Sequence, residues 1–409
     1  MEVEKEYGKF KKVECKVEVK ILPTKFYPLM KAITESSEAS TWCEEGREGE
    51  VNRACRVSMI VSTYNLERLA PLAVRSALAQ HYDDYEVVIV DDGSTDSSWD
   101  KVIETVRTFN GFRGVRVKCL RNAANLGIAG TFNRLMDESR GELCVWQCGD
   151  DIAHLDRVAK IVKCWDEAKA SHPDLVAAAS DANRVGELVA GDFIGGDRTP
   201  EWTVYSAQEV FERPVTLLGA VAVYSREQYD FFGPVDPRAQ AEDSTMHLRT
   251  MLRGSFLVVH EPLLEYHCFG GNSTSYKKTS REAVRKTVSQ WHHTFLQAQR
   301  DLAKCRDLMP EDRYAVYGKL FGWMAHRYDV WLRMMSDSFR ARLAALGEFT
   351  EIVRQEKAMR PLMDAVRKDR SAISWIVFLL PRWAVDGLCK LHCAVGNWKR
   401  VVLTKMGRG

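Results

Sequence analysis

The stretch EVVIVDDGSTD, residues 86–96, decides how the rest of the chain is read. Its first half, EVVIV (86–90), is nearly all apolar. Such a run suits a parallel strand covered on both faces. Two carboxylates, a glycine and two hydroxyls follow at once, and ligands of open α/β sheets bind just past the carboxyl ends of strands. Upstream, VSMIVSTY (57–64) is a second β-rich run, and Leu69, Leu72, Ala73 and Ala77 then share one helical face. Downstream, Ser97–Phe109 reads as helix, VRVKCL (115–120) as strand and Ile128–Arg140 as helix. ELCVWQ (142–147) is a further strand, and Cys-Gly-Asp-Asp follows it. This alternation predicts an α/β fold built on a doubly wound sheet.

The pattern continues through a helix at Arg157–Ala170, strands at LVAAAS and VAVYS (near 221–225), and Gly/Asp-rich loops at 190–200. From Ser280 the composition turns to Arg, Ala, Leu and Met at helical spacing. The expected division is an extension of unknown role over 1–54, the α/β domain over 55–278 and a helical region over 279–409. Within the extension, Val13–Ile21 holds strand-like segments. Thr34–Glu50 is acidic, Ser-rich and without apolar periodicity, which reads as a linker or surface loop.

Composition narrows the class. The chain has 409 residues, of which 45% are hydrophobic and 28% charged, enough for a sizeable core without disulfides. A net charge of +2 provides no global field for nucleic acid. The 11 cysteines are scattered, with no Cys-x-x-Cys pair, so a zinc module is not expected and a reducing, cytoplasmic compartment is. The charged N-terminus does not read as a secretory signal. No apolar run reaches the ~18 residues of a membrane span. AISWIVFLLPRWAVDGLCKLHCAV (372–395) is apolar but broken by Pro381 and followed by Lys399 and Arg400. It reads either as a buried helix or as an in-plane helix on the inner face of a membrane.

Three acidic constellations carry candidate chemistry. Asp91 and Asp92 are placed to accept hydrogen bonds from a base or a ribose, although DDGSTD serves equally as a turn and helix cap. Asp150 and Asp151 offer adjacent hard oxygens to a divalent cation, or form a solvated turn. Glu242 and Asp243 open a helical segment, AEDSTMHLRTMLRG (241–254), where a carboxylate acts as a general base or complements the helix dipole. A phosphate loop and a dinucleotide glycine signature are both missing.

Taken in order, VSMIVSTYN, EVVIVDDGSTD, RNAANLGIAGTFNRLMDESRGE, the Gly-Asp-Asp strand end and AED…LEYHCFGGNSTS resemble family-2 glycosyltransferases of the GT-A fold, over about 55–275. The resemblance implies a mixed doubly wound sheet and inverting transfer from a nucleotide-sugar, with a UDP-sugar favoured. The acceptor would be a glycan, a lipid-linked carrier or a protein. It places Ser62 and Tyr64 at the nucleotide, Asp92 at the base, and Asn125, Gly127 and Asn133 beside the nucleotide sugar. Asp150 becomes the aspartate that holds Mn²⁺ or Mg²⁺, and Asp243 the catalytic base beside Glu242. Two positions depart from the family. Cys148 replaces the first aspartate of Asp-x-Asp, and Phe269 stands where the family often has a metal-side His, leaving His267 as a substitute ligand. These departures keep open a non-catalytic relative that binds nucleotide or sugar as a scaffold.

Overall fold

The computed structural model describes residues 18–21, 40–44, 55–109, 115–185, 191–192, 200–212, 219–267 and 281–364. Its centre is four parallel strands: β3 (Val57–Thr63), β4 (Tyr85–Asp91), β5 (Arg116–Arg121) and β6 (Leu143–Cys148). Their order is β5-β4-β3-β6. Every residue of β4 is buried, as its unbroken apolar run requires. The crossovers are helices α1 (Ala70–Leu78), α2 (Ser98–Thr108) and α3 (Gly127–Glu138). Ala129, Phe132, Leu135 and Met136 give α3 its buried face, and the Phe132 ring meets Trp146 at 5.5 Å and Tyr224 at 5.4 Å.

The chain steps from β3 outward to β5, then returns to β6 on the other side of β3. Such a reversal opens a crevice at the carboxyl ends of the two strands where it occurs. Gly149 lets those ends meet: a Cβ there would lie 2.8 Å from the Ser62 carbonyl oxygen.

The far half of the sheet is mixed. It contains β7 (Ile152–Ala153), β8 (Leu175–Val185), β9 (Gly191–Asp192), β10 (Trp202–Tyr205), β11 (Ala222–Ser225) and β12 (Ser255–His267). β11 runs antiparallel between β6 and β8, β12 lies parallel to β8, and β10 pairs antiparallel with β12. Periodicity did not reveal β12, a 13-residue strand, because Pro262 interrupts it. The fold accommodates Pro262 at shifts of register on both sides. At the opposite edge, β1 (Glu18–Ile21) pairs with β2 (Ser40–Glu44), and β2 pairs with β5. The expected loop over Thr34–Glu50 is therefore corrected at Ser40–Glu44, where the open edge of β5 supplies hydrogen bonds that local composition does not encode.

Helices α4 (Arg157–Ser171), α5 (Ala207–Glu212), α6 (Arg226–Phe232) and α7 (Glu242–Arg253) accompany the second half. Three long helices follow: α8 (Arg281–Lys304), α9 (Glu311–Met334) and α10 (Phe339–Asp364). Their core is aromatic, with Phe295 stacked on Tyr328 at 5.9 Å and Tyr317 on Phe321 at 5.8 Å. Among the described residues, no helix is long and apolar enough to cross a membrane. The apolar segment 372–395 and Phe269 lie outside the described residues.

One polar stripe of α8 grips the segment that leads into α7. Thr294, Gln297, Asp301 and Lys304 recur at helical spacing on a single face. Thr294 Oγ1 accepts from the Gln240 N–H (3.1 Å), and Lys304 Nζ donates to the Phe232 carbonyl (2.8 Å). Asp301 forms a buried pair with Arg249 of α7 at 2.8 Å, while Gln297 donates to its other oxygen. Arg249 also donates to the Gly233 and Pro234 carbonyls at 2.8 and 3.3 Å.

Candidate active site

The β3–β6 crevice collects the acidic turns. Ser62 pairs with Val90 on one side and Cys148 on the other, so the turns after β4 and β6 flank the end of β3. Ser62 is half-buried and Tyr64 exposed, both just past or at the strand end.

The first acidic pair faces inward. Asp91 is fully buried and accepts from Thr63 Oγ1, Ser94 Oγ and the Ser94 N–H, with Arg121 Nε at 3.4 Å. A carboxylate has about four acceptor sites, and these are taken. The Asp91 oxygens are thus engaged by the turn they build. Asp92 accepts from Asn122 Nδ2 and the Leu126 N–H, both at 2.7 Å, and from the Gly127 N–H at 2.9 Å. Burial pushes its carboxyl up while these donors pull it down. Asp92 thereby shapes the Asn125–Gly127 loop. Gly127 adopts a positive φ of 74°, and Asn125 is exposed. Asn133 is buried and clamps Val235, donating to its carbonyl (2.7 Å) and accepting from its N–H (2.8 Å).

The second pair is less satisfied. Cys148, Asp150 and Asp151 present a sulfur and two carboxylate oxygens within 4.8 Å of one another. Asp151 is fully buried; its Oδ1 accepts from the His267 N–H at 3.0 Å, and its Oδ2 has no hydrogen-bond partner. Burial, then Asp150, pushes the Asp151 carboxyl well up. Burial raises Asp150 as well, opposed by a hydrogen bond from its own backbone and then by His267, whose N–H donates to Asp151. A divalent cation would answer both the crowded carboxylates and the unpartnered oxygen, so Cys148, Asp150 and Asp151 fit one.

The third pair reaches the same place. Burial, then Asp151, Asp150 and Glu242, raise the Cys148 thiol. The buried Tyr224 hydroxyl is raised by burial and then by Glu242, Asp243 and Cys148. The start of α7 is tied to this side of the sheet through Gly219, which donates to Asp243 in the turn before β11, the strand paired with β6. Glu242 is buried, and Gly219 passes so close that a Cβ there would lie 2.4 Å from Glu242 Oε1. Asp243 is half-exposed; it accepts from the Gly219 N–H at 3.3 Å and from Ser244 Oγ at 3.1 Å.

Two supporting residues were not visible in the sequence. Gln147 is buried and donates to the Ala73 carbonyl, Ser76 Oγ and the Asp151 carbonyl, bracing the acidic turn against α1. Arg157 is fully buried and donates to the Trp146 and Ala220 carbonyls. Burial pushes its guanidinium down to about 10, opposed by Asp151 and Cys148. The arginine opening an otherwise apolar helical face was the available signal.

The match to known proteins agrees with this geometry. Residues 58–205 match the family described as glycosyl transferase family 2. That stretch of the chain is similar to family-2 glycosyltransferases. An uncharacterized glycosyltransferase of Nostoc sp. is 26% identical over 263 residues, covering 59% of this chain and 76% of the relative. A UDP-Glc:α-D-GlcNAc-diphosphoundecaprenol β-1,3-glucosyltransferase of Escherichia coli is 33% identical over 95 residues, which is 23% of this chain and 35% of that enzyme. Of solved structures, S. aureus TarS superposes with a TM-score of 0.50 at 17% identity, covering 79% of this chain and 54% of TarS. The glycosyltransferase domain has the GT-A fold, followed by helices. The chain spans about a third of the E. coli relative and about half of TarS.

Proposed function

We propose that this glycosyltransferase moves a sugar, with inversion, from a nucleoside-diphosphate donor to an acceptor hydroxyl in the synthesis of surface polysaccharide or glycoconjugate. A UDP-sugar is the favoured donor, and a glycan or lipid-linked carrier the favoured acceptor, in keeping with the name of the E. coli relative, a UDP-Glc-dependent transferase to a diphosphoundecaprenol-linked sugar. The observation that carries the reading is Asp243: a half-exposed carboxylate with one protein hydrogen bond to each oxygen, at the start of α7 and bonded to Gly219 in the turn before β11.

In this reading the exposed Tyr64 and half-buried Ser62 form one wall of the nucleotide site, and the Asn125–Gly127 loop held by Asp92 forms the other. The acceptor oxygen attacks the anomeric carbon as the bond to the diphosphate breaks, and Asp243 takes the acceptor's proton. Asp243 lies in the first turn of α7, where the helix dipole complements a carboxylate. A divalent cation held by Asp150 and Asp151, with His267 beside them, would neutralise the departing diphosphate.

The decisive experiment is release of free nucleoside diphosphate from a panel of sugar donors, with Asp243→Asn as the control. The non-catalytic scaffold reading is favoured by Cys148 in place of an aspartate. It holds if donors stabilise the fold against heat but none is consumed. Peripheral attachment to the inner face of a membrane suits a lipid-linked acceptor. Flotation with liposomes, with and without residues 371–409, tests it.

A further inference from the structure

Cys148 is the last residue of β6 and stands half-buried against the acidic turn. Buried cysteines usually act as small apolar fillers. This one differs, because its sulfur lies within 4.8 Å of carboxylate oxygens from both Asp150 and Asp151. We propose that the Cys148 sulfur is a metal ligand, which makes this a mixed sulfur–oxygen site for a thiophilic divalent cation of the zinc, cobalt and cadmium class rather than for magnesium. The inference rests on the catalytic reading only for the use made of the ion, not for its binding.

Geometry supports the assignment. A tetrahedral cation with a sulfur bond of about 2.3 Å and oxygen bonds of about 2.0–2.2 Å holds its donors about 3.3–3.7 Å apart. The three donor atoms lie within 4.8 Å of one another, so side-chain rotations that draw them together complete the set. An independent observation points the same way. Asp151 is 0% exposed, its Oδ1 is engaged by the His267 N–H, and its Oδ2 has no hydrogen-bond partner. An unmade hydrogen bond at a buried carboxylate is costly, and a metal bond would satisfy it. The backbone around the site is held in place, with Gln147 gripping the Asp151 carbonyl at 3.0 Å and Gly149 packed on Ser62.

Chemistry then selects the ion. A hard cation such as magnesium demands near-octahedral oxygen ligands and gains little from sulfur. Thiolate ligands favour softer ions. The thiol proton passes to solvent as the sulfur–metal bond forms. Relative to an aspartate at this position, Cys148 shifts preference toward thiophilic ions while Asp150 and Asp151 keep their places.

The test uses the full-length chain without donor. Cobalt(II) titration of the wild type should develop a near-ultraviolet thiolate-to-cobalt charge-transfer band that saturates at one equivalent. Cys148→Ser should abolish it despite the ten other cysteines, the remainder of 11. Calorimetry should show cadmium bound more tightly than magnesium, and Cys148→Asp should shrink that ratio by about tenfold or more, at least what loss of an outer-shell partner costs a metal site. A band that persists in Cys148→Ser, or a cadmium-to-magnesium ratio unchanged by both substitutions, overturns the proposal. Should Cys148→Asp fail to fold, the near-isosteric Cys148→Ser still decides. Oxygen-only cation binding together with intact diphosphate release would sink this inference and leave the catalytic reading standing.

Discussion

The two sides of the crevice use the same residue type in opposite ways. On the β4 side, Asp91 and Asp92 are buried and spend their oxygens on Ser94, Asn122, Leu126 and Gly127. On the β6 and α7 side, Asp151 retains an unpartnered oxygen and Asp243 has only one bond per oxygen. A carboxylate ringed by N–H donors builds a loop, whereas one starved of them is left for a ligand or a proton. The number of donors around each acid therefore separates architecture from chemistry more sharply than the acid's position at a strand end.

The contrast predicts graded effects. Asp243→Asn should lower transfer by about 10²–10⁴-fold, the usual contribution of a general base, with donor binding and melting temperature preserved. Near-normal diphosphate release by that variant would break the catalytic half of the contrast. Next in size is the tether that holds the catalytic side. Removing one partner of the buried Arg249–Asp301 pair, as in Asp301→Ala, should cost about 3–5 kcal/mol in denaturant unfolding. The double variant Arg249→Met with Asp301→Leu should recover much of that loss, because it leaves no buried charge unpaired. An Asp301→Ala protein as stable as the wild type would show that α8 does not secure α7.

Smaller again is the metal-side arm. Asp150→Ala should weaken Mn²⁺-dependent nucleotide binding by about 10–100-fold, and titrations that match with and without Mn²⁺ would remove Asp150 from that role. The smallest effect belongs to the architectural side. Asp91→Ala should destabilise the fold by about 1–3 kcal/mol through its orphaned donors. If it instead lowers nucleotide affinity at unchanged stability, the two sides are not different in kind.

Much of this was legible beforehand, for identifiable reasons. EVVIV and VSMIVST are apolar runs whose burial follows from composition, and both are strands. The acidic turns fall just past strand ends because turn chemistry is local. β2 and β12 were harder to read. Ser40–Glu44 is ordered as strand by the edge of β5, and Pro262 hides a long strand that tolerates it only at a shift of register. Gln147 gave no signal of its own, since Ala73 and Ser76, the partners that brace it against α1, lie 74 and 71 positions away.

By itself the sequence determined the α/β alternation and the places where acids emerge, because periodicity and turn residues act over a few positions. Tertiary structure decided which of those acids remain available. The donor to Asp92 comes from a residue 34 positions away, that to Asp243 from 24 and that to Asp151 from 116. A carboxylate's spare lone pairs are set by which distant N–H groups the fold delivers to it, and no local pattern records that delivery.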